Sequence, residues 1–387
     1  MQPSANVLEM IERLIGFDTT SRNSNLELIA WVQNYLDNLG IGSELVHDET
    51  GHKANLYATL GPLDIPGIAL SGHTDVVPVD GQPWDSDPFT VTRRDDRLYA
   101  RGTCDMKSFI AICLALAPEF LERKIRIPLH FAFSYDEEVG CLGVRGLLQK
   151  LADRPVKPLA CIIGEPTSMK VISGHKGKLS MRCHVHGKEA HSSLINQGVN
   201  AVEAAAEAIA YLKSMARRHR DQGPYNEDYN PHYTSVHTGT VHGGTALNIV
   251  PLGCSFEYEF RHLPGDDPEA LQSELTAHIE NNIVPEMKAV DPNSGFEFEP
   301  MSRIPGFHVE EDAEITQLAK SLSGTNSTGK VSFGTEAGLF QTMAGIPSVI
   351  CGPGSIDQAH KPNEYIDIEQ VARGEEFIRK LIEHCSD

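Results

Sequence analysis

Residues 107–133, KSFIAICLALAPEFLERKIRIPLHFAF, contain the pattern that decides the fold. The part from 107 to 123 has the length and apolar content of a buried helix, and 129–133 is a short apolar run directly after a proline. Two more apolar runs, 67–70 and 159–163, lie on either side and are bounded by Pro or Gly. Such runs are typical of strands that are buried on both faces. Their alternation with helices predicts an α/β domain with an open, mixed-to-parallel sheet and helices on both faces.

A second pattern begins at Lys178. Apolar residues at 179, 181, 183 and 185 alternate with polar ones, which is typical of a strand with one solvent-exposed face. After it the sequence predicts a helix at about 200–219, strands at 234–241 and 255–263, a helix at 268–287 and a last strand at 296–298. The order β-α-β-β-α-β indicates a ferredoxin-like α+β domain inserted into the first. We place the main domain at residues 1–177 and 292–387 and the inserted domain at 178–291.

The composition of the chain limits which kinds of molecule it is expected to bind and where it is expected to be located. The chain has 387 residues and a formal charge of −20, from 33 Lys and Arg against 53 Asp and Glu. This charge argues against nucleic acid and is compatible with metal ions or a cationic substrate, although an acidic surface more often serves solubility. No apolar run is long enough for a membrane span. The eight cysteines show no C-x-x-C spacing and residues 1–17 do not resemble a secretory signal, which predicts a cytoplasmic protein without disulfides.

Acidic residues and histidines follow the predicted strands at five places. The carboxyl ends of strands are where open α/β sheets bind ligands, so this position is informative. The five segments are SGHTD (71–75), RGTCDMK (101–107), SYDEEVG (134–140), IGEPT (163–167) and DQAHKP (357–362). Each has an ordinary alternative when taken alone, such as a turn, a helix N-cap, a solvated acidic loop or a loop histidine.

The combination predicts a dinuclear metal site. It contains two imidazoles and three carboxylates, from His73, Asp105, Glu138, Glu165 and His360. Such ligands suit zinc, cobalt or manganese. Two metals need one bridging carboxylate plus one nitrogen and one oxygen ligand each, which this set supplies. The adjacent Glu137 allows one glutamate to be a ligand and the other a general base.

Seven segments, in order along nearly the whole chain, resemble the co-catalytic dizinc deacylase and exopeptidase family, which includes aminoacylases, succinyl-diaminopimelate desuccinylases and carboxypeptidases. They are SGHTDVVPVDGQPW (71–84), RGTCDMKSF (101–109), SYDEEVGCLG (134–143), GHKGK (174–178), GGTALNIVP (243–251), FGTEAGLFQ (333–341) and CGPGSIDQAHKPNEYI (351–366). The resemblance implies a metal-dependent hydrolase of a linear amide. The last two segments favour N2-acetyl-L-ornithine as substrate, with L-ornithine and acetate as products in arginine biosynthesis.

The resemblance also implies roles for the ligands. Asp105 bridges two metal ions, zinc or cobalt. His73 and Glu165 complete one site, and Glu138 and His360 complete the other. The peptide bond after Asp105 is typically cis in this family.

Two further acidic residues receive roles by resemblance, and a third marks a departure from the family pattern. Glu137 is the general base, and Asp75 orients His73. Glu336, in FGTEAG, occupies a position where the desuccinylases have a different polar sequence. A carboxylate there either faces a cationic substrate side chain or simply begins a helix.

Three residues of the inserted domain resemble substrate-handling groups. His191, in EAHSS (189–193), is the oxyanion-stabilising histidine, which in the family either closes on its own active site as a lid or reaches that of the partner in a homodimer. Asn248 and Arg261 resemble contacts to the substrate carboxylate. Taken from the residues alone, His191 is an ordinary loop histidine, Asn248 a turn former and Arg261 part of a solvated strand face.

Two other functions stay open on the sequence alone. In the first, the enzyme acts on succinyl-diaminopimelate, acetyl-citrulline or a dipeptide. In the second, the chain is a catalytically silent protein that binds metal or an amino acid. The presence of Glu137 disfavours the second, because a pure binder needs no general base.

Overall fold

The computed structural model describes residues 1–386, which form two compact units. The main unit comprises residues 1–174, 307–330 and 335–386, and the inserted unit comprises His175–Gly306 and Val331–Gly334. The helices are α1 Ala5–Ile15, α2 Leu26–Asn38, α3 Lys107–Leu121, α4 Val144–Ala152, α5 Ala201–Gln222, α6 Pro268–Asn282, α7 Val284–Val290, α8 Glu314–Ser323, α9 Ala337–Ala344 and α10 Ile368–Cys385, with a short 3-10 helix at Ser192–Gln197. Within residues 1–386, no helix is both long and apolar enough to cross a lipid bilayer.

The strands are as follows in chain order. They are β1 Ser43–His47, β2 Ala54–Leu60, β3 Ile68–His73, β4 Thr92–Arg94, β5 Arg97–Tyr99, β6 Leu129–Ser134, β7 Ala160–Pro166, β8 Val171–His175, β9 Gly177–His186, β10 Ala190–His191, β11 Ser235–Gly243, β12 Ile249–Val250, β13 Gly253–His262, β14 Gly295–Ile304, β15 Phe307–His308, β16 Thr328–Val331, β17 Ser348–Gly352 and β18 Tyr365–Asp367.

A mixed sheet forms the centre of the main unit. Nine strands of the described chain lie in the order β1-β2-β6-β3-β7-β17-β8-β15, with β16 paired to β8. β3 is parallel to β6 and β7, and β17 is parallel to β7, whereas β1, β2 and β6 pair antiparallel. Every residue of β3, β6, β7 and β17 is buried, so both faces of the sheet are covered. The predicted α/β fold is confirmed.

The apolar helix that the sequence predicts at 107–123 is α3, which ends at Leu121. It contacts β3 and β7 as well as α1 and α10, and therefore nearly all of its residues are buried. Phe109 lies directly on Gly164, where a Cβ atom would be 2.1 Å from the phenyl ring. The absence of a side chain at Gly164 thus lets α3 pack closely against β7. This packing fixes the start of α3 and the loop before it.

The inserted unit is an antiparallel sheet with helices. Its four strands lie in the order β11-β13-β9-β14. On β9 the apolar residues at 179, 181, 183 and 185 are buried in one cluster with residues of α5 and α6, and the alternating polar residues are more exposed. The strand order and the alternation agree with the β-α-β-β-α-β pattern of the sequence.

The inserted unit differs from the sequence prediction in its end and in one of its helices. The unit continues to Gly306 rather than ending at 291, because β14 pairs with β9 from Gly295 opposite His186 to Ile304 opposite Lys178. The single helix expected at 268–287 is two helices, α6 and α7, which meet at Ile283. Pro285 follows this break and cannot donate the hydrogen bond that a continuous helix would need there.

His130 on β6 gives the main unit a pH-dependent stability. Its Nδ1 lies 3.0 Å from Thr59 Oγ1, its ring stacks on Tyr57 with centroids 5.5 Å apart, and its Nε2 has no hydrogen-bond partner among the described residues. Burial, followed by the charge of Arg154, lowers the pKa of His130 to about 4. The folded state therefore holds this imidazole neutral, whereas the unfolded chain protonates it below pH about 6.5.

We expect the free energy of unfolding to fall more steeply with acid in the wild type than in His130→Gln, which does not titrate. The folded pKa is depressed, so the contribution is present above pH about 6.5 and is lost as the pH falls. Between pH 7.5 and 5 the extra loss is about 2 kcal/mol. Urea denaturation of both proteins across this range measures it. Parallel pH dependences would contradict the assignment.

Candidate metal centre

The ends of parallel strands bring the predicted ligands to one edge of the main sheet. His73 is the last residue of β3, and Glu165 lies near the end of β7. Glu137 and Glu138 follow β6, and His360 lies in the loop after β17. Because these strands run in the same direction, their carboxyl ends meet at the same edge. All five residues belong to the main unit.

Asp105 lies between the two histidines. Its Oδ1 is 3.0 Å from His73 Nε2, and its Oδ2 is 3.2 Å from His360 Nε2. The carboxylate thus offers one oxygen to each side, which is the arrangement a bridging ligand requires. The peptide bond between Asp105 and Met106 is cis, as the resemblance implies.

The remaining carboxylates divide between the two histidines. Glu165 Oε1 lies 3.9 Å from His73 Nε2, and Glu138 Oε2 lies 3.0 Å from His360 Nε2. One ligating atom from each of His73, Asp105 and Glu138 falls within 4.8 Å of the others, and the same holds for His73, Glu137 and Glu165. The structure therefore brings together every residue that the sequence predicts as a metal ligand. Their metal-binding roles stay predictions.

The electrostatics of this cluster fit divalent cations. Burial, followed by the charges of neighbouring carboxylates, raises the pKa of Glu165 well above its ordinary value and that of Glu138 to about 7. Contacts with Asp105 and Glu138 raise the pKa of His360 to about 10. The raised pKa values show that the two imidazolium groups alone do not balance the negative charges of these buried carboxylates. Two divalent cations would supply that charge and would replace the imidazolium protons, since a histidine ligand must be neutral.

Asp75 holds two parts of the centre in place. The Nδ1 of His73 lies 2.9 Å from the backbone oxygen of Asp75 and 3.5 Å from its carboxylate, so the backbone contact is the shorter one. The carboxylate accepts from Ser21 Oγ at 2.7 Å and from the backbone N–H groups of Glu137 and Glu138 at 3.1 and 3.3 Å. Asp75 therefore orients the acidic loop as well as the imidazole, which leaves His73 Nε2 facing Asp105.

Glu137 is held by a thiol from its own turn. Asp136 and Cys141 both have a φ of 54°, and the backbone N–H of Cys141 donates to Glu137 O at 2.8 Å. This turn places the Cys141 thiol 3.3 Å from Glu137 Oε1. Burial raises the pKa of Glu137 to about 8, and nearby carboxylates add to the effect. A carboxylate with a raised pKa is suited to take up and return a proton near neutral pH.

Glu336 is a buried residue whose side chain contacts Ser71 of β3. Its side chain is 1% exposed, and its Oε2 accepts from Ser71 Oγ at 3.2 Å. Burial raises the pKa of Glu336 to about 7. The residue directly precedes α9 without capping it through its side chain, so its position agrees with a helix start. Contact with a cationic substrate side chain stays a prediction, and the burial of this carboxyl does not favour it.

The inserted unit places two of its three predicted residues together. His191 on β10 is paired with Ile249 on β12, and the N–H of Ser192 donates to Asn248 O at 3.0 Å. His191 is exposed, and its Nδ1 accepts from the N–H of Ser193 at 3.2 Å. Since Nδ1 is the acceptor, the neutral ring carries its proton on Nε2 and offers it as a donor.

Arg261 lies near the end of β13 in the four-stranded sheet. It is opposite Lys178 at the start of β9, whereas the end of β13 near Asn248 is opposite His186 at the far end of β9. Eight residues of strand separate these positions, or about 26 Å. Arg261 also donates from Nε to Glu259 Oε1 at 2.9 Å. Arg261 is therefore at the opposite end of β13 from Gly253, the strand end that lies nearer to Asn248 in the sequence.

The sequence analysis did not identify Arg101 and Glu364, a buried pair that contacts the loop of Asp105. Both are 1% exposed, and they form an ion pair of 2.6 Å between Arg101 Nη1 and Glu364 Oε2. Their signal was present in two segments used for the resemblance. Arg101 lies four residues before Asp105, and Glu364 lies four residues after His360.

Comparison with known proteins gives consistent results. Residues 69–384 match the sequence profile of Peptidase family M20/M25/M40. Acetylornithine deacetylase from Pasteurella multocida (strain Pm70) is 33% identical over 395 residues, which cover 99% of this chain and 98% of that protein. The M20 family metallo-carboxypeptidase Sso-CP2 from Sulfolobus solfataricus superposes with a TM-score of 0.77 at 18% identity, over 98% of this chain and 99% of that one. The Bacillus subtilis YXEP protein, a dinuclear metal binding peptidase, gives a TM-score of 0.65 at 15% identity over 98% of both chains. The two structural likenesses show a shared fold.

Proposed function

Because the chain belongs to Peptidase family M20/M25/M40 and is a metal-dependent hydrolase, we propose that it removes the acetyl group from N2-acetyl-L-ornithine to give L-ornithine and acetate. The position of Asp105 between His73 and His360 is the observation that carries the hydrolytic chemistry. The substrate is supported by the full-length similarity to acetylornithine deacetylases. A role in arginine biosynthesis and a cytoplasmic location follow as predictions.

We assign the metal ligands to the cluster at the edge of the main sheet. Asp105 would bridge two ions, His73 and Glu165 would hold one, and Glu138 and His360 would hold the other. Zinc or cobalt suits this mixture of imidazole and carboxylate. When bound, the two ions lower the pKa of a water molecule and polarise the acyl carbonyl.

Glu137 moves the proton in this proposal. Its carboxylate takes a proton from the water that attacks the acyl carbon and then gives it to the nitrogen of the leaving amine. The thiol of Cys141 and the contact of Asp75 with the backbone of Glu137 keep the carboxylate in one orientation. The amide C–N bond breaks, the acyl group leaves as acetate and the amine nitrogen leaves protonated.

His191 would stabilise the oxyanion of the tetrahedral intermediate through its Nε2–H. The hydrogen bond from Ser193 to Nδ1 supports this role, because it leaves the donor on the exposed nitrogen. We expect His191→Ala to lower kcat by about 100–1,000-fold with a smaller change in KM, as for other oxyanion donors. Steady-state kinetics measure it, and a change confined to KM would contradict the role.

We further propose a homodimer in which Arg261 and His191 of one active site come from different copies. Arg261 lies at one end of β13, and the other end, Gly253, leads back along the chain to Ile249, the partner of His191. The two strand ends are about 26 Å apart, and an N-acyl amino acid is too short to span that length. Arg261 would pair with the substrate carboxylate.

A mixing experiment tests this arrangement. His191→Ala and Arg261→Ala are each expected to lose most of their activity, but a mixed dimer would contain one site with both residues intact. Equal mixing after dissociation is therefore expected to restore activity far above that of either variant. Unchanged activity in a mixture that forms dimers would exclude the shared site.

A panel of substrates tests the proposed function. The enzyme is offered N2-acetyl-L-ornithine, acetyl-citrulline, succinyl-diaminopimelate and a dipeptide, and kcat/KM is compared at matched metal content. The highest value is expected for N2-acetyl-L-ornithine. A higher value for another compound would replace this substrate, and metal binding without any hydrolysis would favour the silent binder.

A further inference from the structure

Glu364 joins the two loops that carry Asp105 and His360. It is 1% exposed and lies between His360 and β18. Its Oε1 accepts from the backbone N–H groups of Gly102, Cys104 and Asp105, at 3.0, 2.9 and 3.1 Å. One buried oxygen therefore receives three main-chain donors from a single turn.

The turn before α3 is shaped around this oxygen. Gly102 has a φ of 81°, and a Cβ atom there would lie 2.8 Å from a methyl group of Val76. Successive backbone N–H groups that converge in such a turn form a concave site for an anion. Here the anion is the carboxylate of Glu364. The last of its donors is the N–H of Asp105 itself, so the carboxylate fixes the backbone at the residue that lies between the two histidines.

The other oxygen connects to the loop of His360. Glu364 Oε2 pairs with Arg101 Nη1 at 2.6 Å, and Arg101 Nη2 donates to Gln82 Oε1 at 2.8 Å. Gln82 Nε2 donates in turn to the backbone oxygen of His360 at 3.2 Å. The network thus contacts the backbone of both Asp105 and His360. The side chains of these two residues meet at 3.2 Å, between Asp105 Oδ2 and His360 Nε2.

We propose that Glu364 is a positioning residue that fixes the spacing between Asp105 and His360, and with it the affinity and geometry of the metal pair. The inference rests on the proposed metal-binding roles of these two residues. Glu364 touches neither substrate nor metal and acts through the backbone. A glutamine would keep one oxygen but would turn an amide toward Arg101, which loses the ion pair and leaves a buried guanidinium without its anion.

The test compares Glu364→Gln with Glu375→Gln. Glu375 is a matched control, because it is also buried, accepts from a backbone N–H at 2.8 Å and pairs with Arg379 at 2.7 Å, but it lies on α10. Zn²⁺ dissociation constants are measured by competition with a chelator, and the Co²⁺-loaded proteins are compared by visible absorption and by the electron paramagnetic resonance of the coupled pair. We expect Glu364→Gln to weaken the more loosely bound ion by about 10–100-fold and to alter both spectra. Glu375→Gln is expected to leave them unchanged.

The kinetic readout separates positioning from general damage. In Glu364→Gln at saturating metal, kcat is expected to fall by about 10–100-fold with KM nearly unchanged. If this variant does not fold, Gln82→Ala breaks the same network at a less buried residue and should show the same changes at smaller size. Wild-type metal affinity and spectra in the variants, or equal changes in Glu375→Gln, would overturn the inference. If the wild type binds two ions but does not hydrolyse N2-acetyl-L-ornithine, the proposed substrate is refuted, whereas the positioning role of Glu364 is still tested by the metal affinities and spectra.

Discussion

Glu137→Ala is expected to lower kcat by at least about 1,000-fold while the protein still binds two metal ions and its substrate. The side chain is placed for proton transfer, since one of its oxygens lies within 4.8 Å of ligating atoms of His73 and Glu165. Burial raises the pKa of Glu137 to about 8 in the absence of cations, and cations beside it lower that pKa toward neutrality. Alanine removes the proton acceptor without removing a ligand.

Three measurements distinguish loss of the base from loss of the site. Metal content by mass spectrometry and substrate binding by calorimetry should match the wild type, whereas single-turnover hydrolysis should be lost. Asp136→Asn is the control, because Asp136 is the neighbouring acid but pairs with Lys53 at 2.6 Å instead of facing the ligands. It should retain kcat within about tenfold. Near-normal turnover in Glu137→Ala would remove this residue from the mechanism.

Asp105→Ala is expected to lose both the metal pair and activity. Each carboxylate oxygen of Asp105 lies within 3.2 Å of a different histidine nitrogen, so its removal takes a ligand from both sites at once. Partners behind a metal ligand already contribute about 10–100-fold in affinity, and loss of a shared ligand should cost at least about 100-fold.

The graded variant Asp105→Asn makes this test sharper. It keeps one ligating oxygen and should retain the more tightly bound ion after dialysis. Asp64→Ala, which removes an exposed acid of the main unit, should retain both ions. Two tightly bound ions in Asp105→Ala would show that another residue bridges the sites.

The architecture of the main unit could be predicted from local patterns. The short apolar runs of β3, β6 and β7 and the buried helix α3 leave no exposed face, and this requires a sheet covered on both sides. The end of the inserted unit at Gly306 was not predicted, although a strand at 296–298 was, because the full length of β14 is set by its pairing with β9 more than a hundred residues earlier. Its own sequence alternates clearly only at 296–299, and Pro300 follows.

The candidate ligands were predictable because they follow strands whose carboxyl ends meet at one edge. Glu364 was not, although it lies in a segment that was recognised. Its partners are the backbone N–H groups of residues 102, 104 and 105, and a backbone donor has no signature in the sequence. The contact of Cys141 with Glu137 was not predicted for a similar reason, since it depends on a turn in which Asp136 and Cys141 both have positive φ angles.

The sequence by itself determined the alternation of buried strands and helices in the main unit, the β-α-β-β-α-β order of the inserted unit and the types of ligand. Hydrophobic periodicity and position after a strand are properties of neighbouring residues. Only the tertiary structure decided the distances that place Asp105 between His73 and His360, the contacts by which Glu364 joins both loops, and the position of Arg261 opposite Lys178 at the start of β9. The reason is physical. Such contacts join residues far apart in the chain, and their distances are set by packing of the backbone rather than by the identity of the residues that meet.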